Sequence, residues 1–444
     1  MAPDRLPPVP AAVFAARRAA AFERLGDGIM VLPAAPIQYS SRDTERSYCP
    51  DRELYYLTGL IEAESVAVLA GGAAQKLVLF VRERDAEAEL WAGPRMDPAA
   101  IGDLLGADEC HSLSEMEKRL PELLATADRI HFRSGRAGTI DAAVQAALDR
   151  ARARGPRTGS GPRGVVDPGE VIDDLRMIKD EHELALIRRA CAVSIDGQRA
   201  AASKIMPGAG EWMVEAAVES AFRDSGATGP GFGTIVGSGV NACVLHYVDN
   251  ADRIAEDALV LVDAGAELGL YHGDITRTYP ASGRFSAAQG RVYDIVEAAM
   301  KAGIAAAAPG ASLASVHEAS TRVLVEGLVD LRVLEGGVDD LIAEGAHKVF
   351  FPHQTSHWLG LDVHDPGDYV RDGAPRTLAP GMVFTVEPGL YFRPESCAEG
   401  AGELAGIGIR IEDDVVITDS GCEVLTRALS TARADIESMI GVGS

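Results

Sequence analysis

Carboxylates at the ends of apolar runs are the first features of this sequence that could do chemistry. Asp263 closes the run Leu259-Val-Leu-Val262, Asp274 follows eleven residues later, and Gly265, Gly269 and Gly273 punctuate the interval. This spacing predicts two paired strands joined by a loop, with the two carboxylates facing each other. An Asp that only caps a loop is the commoner reading for either residue alone. The pairing argues against it, because an unpaired carboxylate at the end of a buried strand is costly. Glu387 repeats the pattern after Val383-Phe-Thr-Val386, with Pro388-Gly389 turning the chain immediately afterwards. In Ile407-Gly-Ile-Arg-Ile-Glu412 the two-residue period of a strand puts the three Ile on one face and Gly408, Arg410 and Glu412 on the other. A surface Arg410–Glu412 ion pair is the alternative for that face if the strand stands alone.

Four of the ten histidines bear on the same chemistry: His246, and the three in His353-Gln-Thr-Ser-His-Trp-Leu-Gly-Leu-Asp-Val-His364, namely His353, His357 and His364. The H-x-x-x-H spacing suggests a helical zinc protease, but that motif needs Glu directly after its first His, and Gln354 stands there. Four carboxylates with one imidazole form a set of mostly hard oxygen ligands, suited to divalent Mn, Co, Zn or Mg. Two divalent cations neutralise four carboxylates, whereas one leaves the pocket strongly anionic. Two ions close together bind one water jointly, lower its pKa toward neutrality and stabilise the oxyanion of an attacked carbonyl. That chemistry is hydrolysis.

The elements that position these residues are legible in outline. From Gly28 to about Arg154, β-rich runs (Ile29-Met-Val-Leu32, Val66-Ala-Val-Leu69, Leu77-Val-Leu-Phe-Val81) alternate with helix-like Ala/Leu/Glu-rich stretches, an α/β pattern. The ten residues Gly155 to Gly164 are dominated by Gly and Pro and predict a connector with neither helix nor central strand. A domain boundary is expected shortly after it, dividing residues 1–174 from 175–444. Asp180 and Glu183 have capping-box spacing, and Leu184, Ile187, Cys191, Ile195, Ala202 and Ile205 predict a long amphipathic helix up to Pro207-Gly208. Strands are expected at Leu259–Val262, Met382–Val386 and Ile407–Ile417, and helices at Ala287–Ala307 and Ala314–Leu328.

Composition narrows the functional classes. At 47% apolar and 24% charged, the 444 residues can build a sizeable core. The net charge of −24 repels phosphate backbones and anionic membrane surfaces, so neither nucleic acid nor membrane is an expected partner. Arg17 and Arg18 interrupt the Ala-rich start, no run approaches 18 apolar residues, and the six cysteines are dispersed. A reducing cytoplasm is the expected location.

The five residues Asp263, Asp274, His357, Glu387 and Glu412, in that order and setting, resemble the dinuclear site of the pita-bread metallopeptidases, and within them the aminopeptidase P group. The segments that carry the resemblance are Thr234-Ile-Val-Gly-Ser-Gly239, Leu245-His-Tyr247, Val262-Asp-Ala-Gly265, Gly273-Asp-Ile-Thr-Arg-Thr278, Ser356 to Asp365, Thr385-Val-Glu-Pro-Gly-Leu-Tyr391 and Gly406 to Asp414. The N-terminal half matches more loosely, through Asp51 to Gly59 and Glu89-Leu-Trp-Ala-Gly93. The resemblance implies an α/β N-terminal domain, which shapes the entrance and mediates oligomerisation, followed by an α+β pita-bread catalytic domain with a curved antiparallel sheet. It implies that Asp263 chelates one divalent ion, that His357 and Glu387 hold a second, and that Asp274 and Glu412 bridge both, with Mn2+ expected ahead of Co2+ or Zn2+. Glu387 would also pass the water proton to the leaving nitrogen, while His246 and His364 would contact the scissile carbonyl. His353, Tyr391 and Arg410 would line the substrate side. Trp91 would be a lid or subunit contact, with core packing the alternative, in a homo-oligomer, tetramer or dimer. Gln354 departs from the glycine expected there.

The implied activity is release of the first residue from peptides with proline second. An Xaa-Pro linkage is a tertiary amide without N–H, so peptidases that grip that N–H lose a contact. A prolidase would use the same ligands on Xaa-Pro dipeptides. A catalytically inactive pita-bread domain would instead bind peptides, but such modules lose ligands that this chain keeps. Creatinase-like relatives lack the metal ligands, and methionine aminopeptidases lack the N-terminal half.

Overall fold

The apolar runs of the first half pair into one mixed sheet: β1 (Ile29–Pro33), β2 (Val66–Ala70), β3 (Lys76–Val81), β4 (Glu109–Ser112), β5 (Ile130–His131) and β6 (Val165–Val166), in the order β4-β3-β2-β1-β5-β6. The computed structural model describes residues 9–73, 75–135, 138–159, 161–397 and 402–441. The described residues divide into two units, one ending at Leu175 and the other beginning at Arg176. In the first, alternate residues Ile29, Val31, Val66, Val68, Val78 and Phe80 share one sheet face with Leu120, Leu124, Ile140 and Val144 from the covering helices. This is the expected α/β domain. The connector departs from expectation, because the helix Gly138–Thr158 runs into its first residues. Pro156 removes one ladder bond close to the helix end. Gly159, at φ +71°, then closes the helix with its N–H on the Gly155 carbonyl (2.7 Å).

The second unit opens with the helix Glu181–Lys204. Asp180 accepts hydrogen bonds from the His182 and Glu183 N–H groups, and the Glu183 carboxylate accepts one from the Asp180 N–H, completing the capping box. The helix ends at Lys204, before Pro207-Gly208, because Ile205 is already extended (ψ 113°). Its buried Gln198 donates to the carbonyls of Val262 (3.1 Å) and Ile275 (2.7 Å), so one side chain clamps two strands. Helices Glu211–Asp224, Ala287–Ala306 and Leu313–Asp330 complete the main helical cover.

The strands of this unit are β7 (Gly229–Pro230), β8 (Ile235–Ser238), β9 (Leu259–Ala264), β10 (Ala266–Leu268), β11 (Tyr271–His272), β12 (Ile275–Pro280), β13 (Val370–Arg371), β14 (Ala374–Pro375), β15 (Val383–Val386), β16 (Gly389–Tyr391), β17 (Gly408–Arg410), β18 (Asp413–Thr418) and β19 (Gly421–Val424). They form antiparallel ladders, chiefly β12-β9-β8, β15-β18-β19 and β16-β17. The Glu412 N–H on the Thr276 carbonyl (3.1 Å) and the Thr278 hydroxyl on the Arg410 carbonyl (3.0 Å) join β12 to the β17–β18 segment. The interval between Asp263 and Asp274 is more than a loop: it holds the β10–β11 hairpin, whose turn residues Gly269 and Leu270 both take positive φ (62° and 70°). Among the described residues no helix is long and apolar enough to cross a membrane.

A buried ion cluster closes the segment that carries His357 and His364. Arg176 Nη2 donates to Asp365 Oδ1 (2.6 Å), Lys179 Nζ to Asp365 Oδ2 (2.9 Å), and the Asp362 N–H to Asp365 Oδ1 (3.1 Å). The Asp365 N–H returns to the Trp358 carbonyl (2.9 Å). Gly360 permits this approach, since a Cβ there would lie 2.6 Å from the Asp365 carboxylate. Burial alone would raise the Asp365 carboxyl, but Arg176 and Lys179 hold it below the usual range. Asp365→Asn leaves buried Lys179 without its carboxylate and Arg176 with only the partly exposed Asp362 (2.7 Å), and should cost about 3–5 kcal/mol at neutral pH. The stabilisation from this depressed carboxyl is complete above the ordinary unfolded value near ~3.9 and lost as pH falls through the lower folded value. Urea melts of both proteins should therefore converge on acidification below pH ~4, and a gap that persists unchanged there contradicts the ion-pair account.

Candidate metal centre

Each carboxylate reaches the centre from a strand end. Asp263 lies on β9, and Asp274 stands just before β12, whose Thr276 pairs with Asp263. Glu387 follows β15, where its N–H is held by the Thr355 carbonyl (2.8 Å), and Glu412 sits in the break between β17 and β18. The expected single strand Ile407–Ile417 is interrupted there, and the interruption is what frees Glu412. Arg410 and Glu412 do not form an exposed pair. Both are buried at the wall of a cavity of about 720 Å³.

His357 completes the group. Its Nδ1 donates to the Trp358 carbonyl (3.1 Å), which leaves Nε2 as the lone-pair nitrogen. That nitrogen lies 3.5 Å from Asp274 Oδ2 and 3.5 Å from Glu387 Oε1. Ligand atoms of Asp274, His357 and Glu412 all fall within 4.8 Å of one another. The carboxylates press on each other. Burial, then repulsion from Asp263, Asp414 and Glu387, pushes the Asp274 carboxyl well above its usual range, and burial with Asp274 and Glu387 does the same to Glu412. Burial also raises Glu387, against the pull of His357 and Arg410. Among the described residues, Oδ1 of both Asp263 and Asp274 is buried without a hydrogen-bond partner. Crowded anionic oxygens with open lone pairs and a correctly turned imidazole fit divalent cations.

Around the oxygens runs a hydrogen-bonded frame. Arg410 donates to Asp263 Oδ2 (2.6 Å), to the Thr276 hydroxyl (3.2 Å) and to Tyr391 Oη (2.9 Å). The Thr276 hydroxyl donates in turn to Glu412 (2.5 Å). The Thr385 hydroxyl accepts from the His357 N–H (3.1 Å) and donates to Glu387 (3.3 Å). His353 Nδ1 donates to the Gln354 carbonyl (2.8 Å), so Nε2 accepts from Tyr391 Oη (2.9 Å), giving a directional chain from Arg410 through Tyr391 to His353. Burial and then Arg410 press the His353 pKa down to about 3, which keeps it neutral in this acceptor role. Burial lifts the Tyr391 phenol to about 12.

His246, His353, His357 and His364 all line the cavity with Asp263, Asp274, Glu387, Arg410 and Glu412. The rings of His357 and His364 lie 4.2 Å apart. Gln354 lines the same space, beside apolar Phe232, Ile235, Leu245 and Val363. Trp91 belongs to the other unit, on the helix Ala86–Ala92. It is 84% exposed, so core packing does not explain it.

Several contributors went unassigned in the sequence. Thr276 and Thr385 orient carboxylates, and their signal was a hydroxyl on an otherwise apolar strand. Asp414 accepts the Asp274 N–H (2.8 Å) and the Cys191 thiol (3.1 Å) on one oxygen, although Cys191 reads in the sequence as one more apolar helix position.

Comparison with known proteins agrees with this geometry. Residues 185–419 match the model of metallopeptidase family M24, and residues 14–131 match that of the aminopeptidase P N-terminal domain. The Xaa-Pro aminopeptidase of Escherichia coli is 40% identical over 430 residues, covering 96% of this chain and 97% of that protein. That of Haemophilus influenzae is 32% identical over 97% of this chain and 98% of its own length. Among solved structures, the aminopeptidase PepP of Pseudomonas aeruginosa superposes with a TM-score of 0.92 at 40% identity, covering 97% of this chain and 98% of that one. Zn-substituted E. coli aminopeptidase P in complex with product superposes with a TM-score of 0.92 at 39% identity, covering 98% and 99%. With both domain models matched in order and relatives aligned end to end, the chain belongs to metallopeptidase family M24, among the two-domain pita-bread enzymes named Xaa-Pro aminopeptidases, and is a metal-dependent hydrolase.

Proposed function

We propose that this chain releases the first residue from peptides whose second residue is proline. The observation that carries the reading is the convergence of Asp263, Asp274, His357, Glu387 and Glu412 at one cavity wall, with His357 Nε2 turned toward two carboxylates. Two divalent ions belong to this site, Mn2+ ahead of Co2+ or Zn2+, since one leaves four carboxylates undercompensated. Asp263 would hold one, His357 and Glu387 the other, and Asp274 and Glu412 both. Bound there, the ions supply Lewis acidity, which makes water nucleophilic at neutral pH and polarises the carbonyl.

The remaining work falls to side chains. The Glu387 side chain is 16% exposed, against 12% for Asp263 and 5% for Asp274, so it meets the cavity most openly. It takes the proton of the attacking water and delivers it to the departing proline nitrogen. His246 and His364 donate to the carbonyl oxygen as its charge grows. Arg410 and His353 line the substrate side, and Tyr391, buried behind the cavity lining, supports that side through its hydrogen bonds to both. No step requires an N–H from the second residue, which is what proline lacks.

The N-terminal domain, residues 1–174, is assigned to entrance shaping and oligomerisation, and the catalytic domain to 175–444. Trp91 and Leu90, exposed by 84% and 79%, support a contact with substrate or a second subunit in a dimer or tetramer. Six free cysteines support a reducing cytoplasm.

Mn2+ added to chelator-stripped protein should raise the melting temperature and restore hydrolysis together, by ~2.7 kcal/mol of stability at a hundredfold excess over Kd. Asp274→Ala should abolish both responses; a melting temperature indifferent to Mn2+ contradicts the site. For the metal-loaded enzyme, Xaa-Pro-Yaa tripeptides should be cut and Xaa-Ala-Yaa controls much more slowly. Equal rates refute proline selectivity, and preference for Xaa-Pro dipeptides makes the chain a prolidase. Absence of cleavage with metal bound leaves a peptide-binding module.

A further inference from the structure

His246 stands on the connection between β8 and β9, lines the cavity and makes no hydrogen bond that fixes its ring among the described residues. Its position is therefore set by what holds the backbone on either side. Before it, the Leu245 carbonyl accepts a hydrogen bond from Arg410 (3.4 Å), the same guanidinium that braces Asp263. After it, Tyr247 Oη donates to Glu211 Oε2 (3.0 Å).

Glu211 is fully buried at the start of the helix Glu211–Asp224. The strip before that helix is laced to the end of the connection: the Gly208 N–H bonds the Ile254 carbonyl (2.8 Å), the Ile254 N–H bonds Ala209 (2.9 Å), and the Glu211 N–H bonds Asp252 (3.0 Å). The Glu211 carboxylate then collects donors along the whole connection. Oε1 accepts from the Ser238 N–H (2.7 Å) and Asn241 Nδ2 (3.2 Å), and Oε2 from Tyr247 Oη and the Asp252 N–H (2.8 Å). A carboxylate offers about four lone-pair sites, and the start, middle and end of one segment occupy them. Tyr247 Oη itself accepts the Ala251 N–H (3.2 Å), which leaves the phenol little freedom.

We infer that Glu211, acting through Tyr247, is a positioning residue that holds His246 at the cavity wall. The inference rests on the reading that His246 contacts the scissile carbonyl. Helix capping alone would need only local N–H groups of the Glu211–Asp224 helix, yet every side-chain bond of Glu211 reaches the last residue of β8 or the connection that carries His246. The arrangement keeps the imidazole in place without a partner that would occupy its nitrogens, so both stay available to substrate.

The test uses the metal-loaded full-length enzyme and an Xaa-Pro-Yaa peptide. Tyr247→Phe removes one hydroxyl and retains the ring. It should lower kcat about tenfold with KM, metal content and melting temperature close to those of the unaltered chain. In a His246→Ala background the same change should be silent to within about twofold, because nothing is left to position. Glu211→Gln must turn an NH2 toward other donors and should show the same dependence on His246 with a larger loss. Equal losses in the two backgrounds, an unchanged kcat for Tyr247→Phe, or a loss that tracks metal content or melting each overturn the inference. A His246→Ala enzyme as fast as the unaltered chain overturns the reading of His246 itself.

Discussion

Four carboxylates buried beside one another are an unstable arrangement, and the catalytic unit is organised around keeping them there. Two like charges 4 Å apart repel by ~4 kcal/mol even at an effective dielectric constant of 20, and each carboxylate also loses its hydration. The strain is visible in the raised carboxyls of Asp274, Glu387 and Glu412. Among the described residues Arg410 is the one guanidinium bonded to a carboxylate of the group, and a single positive charge cannot balance it. The deficit is what divalent cations remove, so the same repulsion that destabilises the bare site gives it affinity for metal.

Rigidity keeps the carboxylates from relieving that repulsion by moving apart. Asp263 is locked in an antiparallel ladder, the N–H groups of Asp274, Glu387 and Glu412 beside the strand ends are held by Asp414, Thr355 and Thr276, and Gln198 ties β9 to β12 from the helix behind. Thr276 and Thr385 hold carboxylate oxygens by single hydroxyls, while Asp414 fixes the Asp274 backbone. A carboxylate that loses its supporting hydroxyl would gain rotamers, and the metal-binding oxygens would disperse.

Buried carboxylates in this unit divide into two kinds by their partners. Asp365 and Glu211 have both oxygens engaged by cations or N–H and O–H donors, and they close the segments carrying His364 and His246. Asp263, Asp274 and Asp414 each keep an oxygen without a hydrogen-bond partner among the described residues, and of these Asp263 and Asp274 line the cavity. The fully bonded carboxylates build structure, and unpartnered oxygens that also line the cavity are the ones placed to take a ligand. Residue type cannot make that distinction, since all are acidic residues near apolar runs.

Much of this was legible along the chain. Apolar runs located β9, β15 and β1 to β3 of the first domain, though not its short strands β4 to β6, and the Asp180/Glu183 spacing located the helix that Gln198 projects from. Carboxylates at strand ends and the histidine cluster named the centre, because strand period and local capping depend on neighbours a few residues apart. The helix that continues through Pro156 shows the limit of local rules, since a proline in the last turn removes one ladder bond without dissolving the turns before it. Tertiary structure alone decided that Glu412 sits in a strand break, that Cys191 donates to Asp414, and that Glu211 reaches Tyr247 across 36 residues. Whether a polar side chain ends as a ligand, a brace or a surface group depends on which distant donors surround it after folding, and that information lies in the packing of segments far apart in the chain.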